Sequence, residues 1–365
     1  MRAAIFKDIE DIRVEEVPQP KCPEGGILVE VHYCGICGGD VRNYHNGLKD
    51  GVKNQIMGHE IAGKIIEVSP SITRFKVGDR VAMAPDVSCG ECWYCKRGLV
   101  NLCENHKMLG THFPGGYAQF IALPDEVMTR GFVEPIPESM TYKHAAFAET
   151  CAAVIACQKR IDVSLGDDVV IIGDGPVGCL HLEIARARGA KKIIMLARDK
   201  IKLAERFRPD YLIDNLDVNA ATKRILELTD GRGADIVILA LPTVVVQDQA
   251  LRIVRKRGKI VIYGGVPKDK EISQLNSNLI HYNEIEVTGS FSYSATGLSD
   301  ALSALNSGVI HADMHINEVV SLDDVVKGME MIQTGKALKV LIDPWKDNPA
   351  LPEKYDIKKG FTCTR

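Results

Sequence analysis

The sequence carries no strong charge bias and no long apolar run, and both absences are informative. Lys and Arg total 45 against 48 Asp and Glu, a formal net charge of −3 with a pI near 6.4. That balance gives no general attraction to nucleic acid or anionic lipid and excludes a basic-groove function. The opening MRAAIFKDIEDIRVEEV has no apolar stretch between a basic start and a cleavage site, and no later segment is an uninterrupted membrane span. A soluble, cytoplasmic protein with no nucleic-acid or membrane partner is therefore expected. No internal repeat is visible, and the cysteines do not make a disulfide framework: there are 11, an odd number, and four of them crowd into one short stretch. In a reducing compartment such a cluster points to a metal. What is present is ordinary globular composition, 45% hydrophobic and 25% charged over 365 residues, more than one hydrophobic core usually serves, so two domains are expected.

The chain is organised around Val169-Val170-Ile171-Ile172-Gly173-Asp174-Gly175-Pro176-Val177-Gly178. An apolar run breaks into glycines and then opens an amphipathic segment, which reads as strand, phosphate loop and helix. Gly173 and Gly175 permit the tight turn and the close approach of a pyrophosphate, and Gly178 permits close packing of helix on strand. Pro176 and Val177 then start a helix whose unpaired N–H groups and positive dipole end favour an anion. Val177, Leu180, Ile184 and Ala187 continue it at helical spacing as far as Gly189.

Up to about Pro124 the sequence is a succession of short alternating runs, among them ILVEVHY, IAGKIIEVS and YAQFIAL, the pattern of a mostly antiparallel β domain. Two inserts interrupt it, Cys34 to Glu60 and Cys89 to Cys103. A helical stretch, Thr141 to Arg160, leads into the glycine loop. Beyond the loop, strands are predicted at Ile193–Leu196, Tyr211–Ile213, Ile236–Leu239, Ile260–Tyr263 and near Ile285–Thr288. Helices are predicted between them at Ile201–Phe207, Asn219–Leu228 and Val244–Val254. Six strands with crossover helices make an α/β, doubly wound parallel sheet, and unalternating runs such as IVILAL suit strands buried on both faces. The stretch from Gly289 to Leu341 ends in a closing strand, KVLIDPW, by which the chain is expected to return to its first domain. No role is assigned to the polar tail 346–365.

Cys89, Cys92, Cys95 and Cys103 place four thiols where a short loop can turn them onto one ion. Four thiolates in tetrahedral array suit Zn(II) and leave no open position, which makes a structural site. A looser set is Cys37 in CGICGGD, His59 and Glu60 in GHE, and Glu149 in AETC. One thiolate, one imidazole and one carboxylate with an exchangeable fourth position would suit a catalytic zinc. Singly, His59 could equally be a hydrogen-bonded core histidine, Cys37 a small buried hydrophobe and Glu149 an exposed helix residue.

From MRAAIF to KVLIDPW the chain resembles the zinc-containing medium-chain dehydrogenases and reductases, in the sorbitol (polyol) and threonine dehydrogenase branch. The resemblance rests on CGICGGD, GHEIAGKIIEV, GDRV, the CGEC-WYC-C loop, GGYAQF, GDGPVG and NLIHYNEIEVTGSF. It implies a GroES-like β domain (1–152, with the zinc loop 89–103), a Rossmann domain (153–290) and a return to the first domain (291–345), with the active site in the cleft. It further implies two zinc ions per chain. Cys37, His59 and Glu149 would hold the catalytic ion, Glu60 would enter its shell during ligand exchange, and Asp40 would bond the second ring nitrogen of His59. Cys151 is a rival soft ligand, but its spacing from the glycine loop favours Glu149. The implied chemistry is zinc-assisted lowering of an alcohol pKa and hydride transfer to nicotinamide C4, on a secondary alcohol of a small polyol or the corresponding ketone, in a homodimer or homotetramer.

Two departures stand out. Gly39 replaces the usual serine or threonine, removing a relay hydroxyl, and Arg42 replaces a frequent histidine; His45 or water is left to carry the proton, and Arg42 reads as a surface charge. The second Rossmann strand should end in a carboxylate for the adenosine ribose, yet that position falls on Ala197, followed by Arg198 and, one turn on, Lys202. This favours NADP(H) over NAD(H), with Asp199 as the opposing feature. The readings that remain open are an L-threonine 3-dehydrogenase, a simple secondary-alcohol dehydrogenase, and a nucleotide-binding zinc protein without turnover.

Overall fold

In a computed structural model that describes residues 1–266 and 270–347, two sheets stand on either side of a shared core. Most of the tail, from residue 348 on, lies outside the described residues. The glycine loop sits in a six-stranded sheet ordered Tyr211–Asp214, Lys192–Ala197, Asp168–Ile172, Ala234–Leu239, Val254–Ile262, Glu286–Gly289. All neighbours run parallel, with Val169 opposite both Ile193 and Ile236. The order therefore reverses at the strand before the glycine loop, which is where a doubly wound sheet opens a crevice for a nucleotide. Each residue of Asp168–Ile172 is buried, because helices cover both faces. The helix expected to end at Val254 ends instead at Ile253, and Val254 opens the next strand. Within that strand, VRKRGKIVI, Val254 and the closing Ile260, Val261 and Ile262 are β-branched residues that favour extended backbone.

The other half is built on a seven-stranded sheet in which Ile27–Gly35 pairs antiparallel with Glu60–Val68, and Lys339–Ile342 closes the opposite side through Leu341 against Gly35. The long segment expected at 141–160 is broken into helices Tyr142–Ala145 and Ala148–Ile161, the first capped by the Thr141 side chain. One core cluster joins the two halves, taking Ala62 from the first sheet, Phe147 and Cys151 from the connecting helix, Leu180 from the nucleotide helix, and Tyr293 and Leu341 from the returning chain. No helix among the described residues is long and apolar enough to cross a membrane.

Candidate active site

The motif CGGD is a helix start. Cys37 caps the helix Gly38–Asn46, its sulfur accepting from Gly39 N at 3.3 Å, and Asp40 Oδ2 reaches back to Cys37 N at 3.0 Å. This reciprocal cap fixes the thiol and the carboxylate in one turn. The same Asp40 Oδ2 accepts from the buried Tyr117 hydroxyl at 2.9 Å, and Asp40 Oδ1 lies 3.4 Å from His59 Nδ1. Burial raises the Asp40 carboxyl, but His59 beside it outweighs this and holds it below its usual range. Burial likewise opposes a charge on His59, yet Asp40 and then Cys37 carry its pKa well above the ordinary histidine value. With Nδ1 directed to Asp40, the other ring nitrogen is the one open to a metal.

Cys37, His59 and Glu60 bring one ligand atom each within 4.8 Å of the others. Glu149 lies outside that set. Glu60 is fully buried and already engaged: Lys339 Nζ contacts its Oε1 at 2.6 Å and its Oε2 at 2.8 Å, and the Thr150 hydroxyl donates to Oε1 at 2.9 Å. Gly35 is required for this arrangement, because a Cβ there would lie 1.8 Å from Glu60 Oε2. Glu149 starts the connecting helix and accepts from Tyr293 Oη at 3.2 Å. Burial, with Glu60 and Asp86 nearby, pushes its carboxyl up to about 7, against the opposing pull of His59 and Lys339.

Of the remaining expectations, Cys151 is fully buried with its thiol pushed well up by burial, and among the described residues it joins no ligand cluster. Arg42 is exposed, and His45 is held by Glu10 through Nδ1 at 2.9 Å. A Cβ at Gly39 would meet only Cys37 Sγ, at 3.6 Å, so a hydroxyl is absent from that position without the space being filled.

The four loop thiols also converge, all within 4.8 Å of one another, with Cys92 Sγ to Cys95 Sγ at 3.5 Å and Cys89 Sγ to Cys95 Sγ at 3.9 Å. Tetrahedral zinc with Zn–S near 2.3 Å requires S–S edges of about 3.8 Å. The donor set and spacing fit that ion. Backbone N–H groups of Cys95 and Glu104 draw the Cys92 thiol down to about 6, as suits a ligand that binds as thiolate.

The nucleotide cavity, 970 Å³, is lined by the glycine loop, the end of the second strand and, from the other half, Gln333, Thr334 and Gly335. Gly173 has φ 131°, a Cβ on Gly178 would lie 1.9 Å from Gly173 O, and a Cβ on Gly175 would meet nothing within 4 Å. The first two are needed for the turn and the helix contact, and the third leaves the backbone open to a phosphate. Gly173, Gly175, Pro176, Val177, Ala197 and Arg198 line the cavity, as expected; Gly178 lies behind it, and the exposed Lys202 is not part of the lining. Lys200 is, and it was not anticipated. Its Nζ donates to Ile332 O at 3.3 Å, and its backbone N, with that of Arg198, bonds Asp174 Oδ2. The sequence signal for Lys200 is a cation two places beyond Arg198, at the turn where the strand ends.

This is the layout of a metal-assisted, nucleotide-dependent dehydrogenase, and comparison with known proteins gives the same class. Residues 23–138 match the alcohol dehydrogenase GroES-like domain and residues 176–307 the zinc-binding dehydrogenase domain. Sorbitol dehydrogenase of Bacillus subtilis is 34% identical over 94% of this chain and 97% of its own length, and D-xylulose reductase A of Aspergillus oryzae is 30% identical over 93% and 95%. The crystal structure of 2R,3R-butanediol dehydrogenase from Bacillus subtilis superimposes with a TM-score of 0.84 at 26% identity, covering 94% of this chain and 99% of that one. A Sinorhizobium meliloti structure with bound NADP gives 0.84 at 28% identity over the same shares. The chain belongs to the zinc-containing medium-chain dehydrogenase/reductase family, in its sorbitol dehydrogenase-like branch. It is a zinc-dependent oxidoreductase acting on the CH–OH group of an alcohol or polyol.

Two predictions follow from this geometry. Lys339→Met leaves the Glu60 charge buried without a partner and should cost about 3–5 kcal/mol in urea unfolding of the zinc-replete protein, most of it recovered in the Glu60→Gln/Lys339→Met double variant. A loss below about 1 kcal/mol would mean the pair behaves like a surface contact. In the zinc-free protein, native Glu149 keeps its proton to about pH 7, whereas the unfolded chain releases it near 4.5. Across that window the native state binds more protons, so stability falls as pH rises, and it levels off above the native pKa. Glu149→Gln should remove this slope from a series of unfolding curves; an identical slope in the variant would refute the assignment.

Proposed function

We propose that this protein is an NADP(H)-preferring polyol dehydrogenase, oxidising a secondary hydroxyl of a small polyol to the ketone or running the reverse. The observation that carries this reading is the convergence of a capped thiol, an oriented imidazole and the buried carboxylate of Glu60 in a family that works on CH–OH groups. We assign Cys37, His59 and Glu149 as the resting ligands of the catalytic zinc and Glu60 as the ligand available during exchange. The choice of Glu149 is supported by charge: Glu60 is already neutralised by Lys339 in a direct ion pair, whereas Glu149 makes no ion pair among the described residues and burial raises its carboxyl to about 7. Cys89, Cys92, Cys95 and Cys103 are assigned to a second, structural zinc.

When bound, zinc supplies Lewis-acid polarisation of the substrate oxygen. The chain supplies the rest. Asp40 holds the His59 ring in the ligating tautomer, Lys339 and Thr150 fix Glu60, and the buried walls keep water from the reacting atoms. Neither Gly39 nor His45 offers a proton route, since one lacks a hydroxyl and the other is committed to Glu10.

Cofactor preference rests on Ala197 and Arg198. Without a carboxylate at Ala197, a 2′-phosphate meets no repulsion, and the Arg198 guanidinium can bind it with paired hydrogen bonds. Arg198 is paired with Asp199 at 3.1 Å, but both side chains are about two-thirds exposed, at 64% and 67%, so the pair is weak and a phosphate can displace it. The relatives named for sorbitol and xylulose support a polyol, and the NADP-bound structure is consistent with the phosphorylated cofactor. A cytoplasmic location suits a chain that keeps four clustered thiols for metal, and a homodimer or homotetramer would cover the edge strand Glu286–Gly289 and its exposed neighbour Phe291.

Turnover of a polyol panel with each nicotinamide nucleotide tests the reading directly. Cys37→Ser should abolish activity while keeping nucleotide binding and one zinc per chain, whereas Cys95→Ser should destabilise the fold. Near-normal activity of Cys37→Ser with full zinc content would overturn the catalytic assignment. Arg198→Ala should raise the KM for NADP(H) by about ten-fold or more and leave that for NAD(H) nearly unchanged. A wild-type enzyme faster with NAD(H) would overturn the preference.

A further inference from the structure

A second cavity, of 620 Å³, lies away from the cleft and is lined by Glu183, Arg186, Arg206, Phe207, Arg208 and His311 among others. It shares no lining residue with the nucleotide cavity. The helix Pro176–Ala187 serves both, its start at the nucleotide and its last turn here, with Val177 and Arg186 about 14 Å apart along the axis at the usual rise.

The charge in this groove is unbalanced. Several arginines elsewhere meet carboxylates, as Arg2 does with Asp323, Arg74 with Glu134 and Arg255 with Asp235, though others such as Arg80 and Arg97 bond only backbone carbonyls. Arg206 and Arg208 have no such partner among the described residues. Glu183, the only acid in the described lining, is 7% exposed and is taken up by His311 Nδ1 at 2.7 Å and His315 Nε2 at 2.5 Å. Arg186, Arg206 and Arg208 are exposed around one concavity, and their like charges give its mouth a positive potential.

The groove is also held in shape. Arg186 Nη1 donates to Phe207 O at 3.1 Å and Nη2 to Arg208 O at 2.6 Å. Arg208 itself sits at φ 52°, in the left-handed region that a side-chain-bearing residue seldom takes. A clamped turn in a rare conformation fixes the backbone that carries the other two cations, which lowers the cost of ordering them around a ligand. His311 keeps its Nε2 for a further hydrogen bond, and Phe207, Val309 and Met314 give the cavity an apolar side.

We infer that this groove is a second ligand site, binding a phosphate group that is either free or carried on a small organic ester. Guanidinium forks match phosphate oxygens in pairs, and an anion would relieve the repulsion among them. The site does not depend on which alcohol the enzyme oxidises or which cofactor it prefers.

The test uses the full-length, zinc-replete enzyme saturated with nicotinamide nucleotide, so that the cofactor phosphates already occupy their own site. Inorganic phosphate and, separately, glycerol 2-phosphate, which has no secondary hydroxyl to oxidise, are titrated calorimetrically against sodium chloride of equal ionic strength. Saturable binding is expected with both. Arg206→Ala/Arg208→Ala should weaken it by about ten-fold or more, the scale of lost charge-assisted hydrogen bonds, while Arg198→Ala leaves it unchanged. Arg206→Lys/Arg208→Lys, which keeps the charge but not the forks, should fall between and serves if the alanine variant does not fold. Equal affinity for the two ligands identifies phosphate alone as the ligand; tighter binding of the ester identifies the apolar wall as part of the site. Non-saturable binding, or wild-type affinity in both double variants, overturns the proposal.

Discussion

The ion pair between Glu60 and Lys339 is the contact on which the active-site half depends. The two side chains are 0% and 4% exposed and come from strands 279 residues apart. Two charges that deep hold the fold only if both are present, since either alone would be an uncompensated buried ion. The returning strand Lys339–Ile342 thereby becomes a condition for the site as well as an interior strand of the sheet, paired with Ile27–Gly35 on one side and Ile316–Val320 on the other. It delivers the cation that lets a glutamate sit next to His59, and its field reaches Glu149 and, in the opposite sense to Glu60, lowers the cost of a negative charge there. Gly35, on the strand between them, is the space in which the pair is housed.

The parallel sheet and its crevice were readable because strands buried on both faces must be continuously apolar and because GDGPVG leaves no other use for three glycines so close together. The four-thiol loop was readable for a similar reason: its ligands are close in sequence, so spacing is nearly geometry. The second metal set was expected only through resemblance, since Cys37, His59 and Glu149 lie on three separate stretches, and the structure brings Cys37 and His59 together with Glu60. Spacing carries no information about such distances.

What escaped the sequence was the identity of the supporting charges. Nothing in KVLIDPW distinguishes Lys339 from a solvated lysine, because the partner that buries it is named by sheet pairing and not by proximity in the chain. Lys202 looked suitable at one helical turn beyond Arg198, yet Lys200 reaches the cavity. The helix there begins at Ile201, so Lys200 still belongs to the turn held by Asp174, and a one-residue difference in where the helix starts decides which residue lines the nucleotide cavity. Glu60 and Glu149 were both identified, but only burial and the position of Lys339 separate an ion-paired carboxylate from one whose pKa is raised to about 7.

The core that joins the halves has a bearing on how this chain can be recombined. Ala62, Phe147, Cys151, Leu180, Tyr293 and Leu341 pack as one cluster although they come from stretches before, within and after the nucleotide sheet. Interior packing tolerates change in total volume poorly unless neighbours change together. The nucleotide half is thus not a cassette: transplanting it from a relative to alter cofactor use would import one side of a jigsaw whose other side stays behind. Cofactor use is better changed at the rim of the cavity, where Arg198 and Asp199 are exposed and their replacement disturbs nothing that is packed.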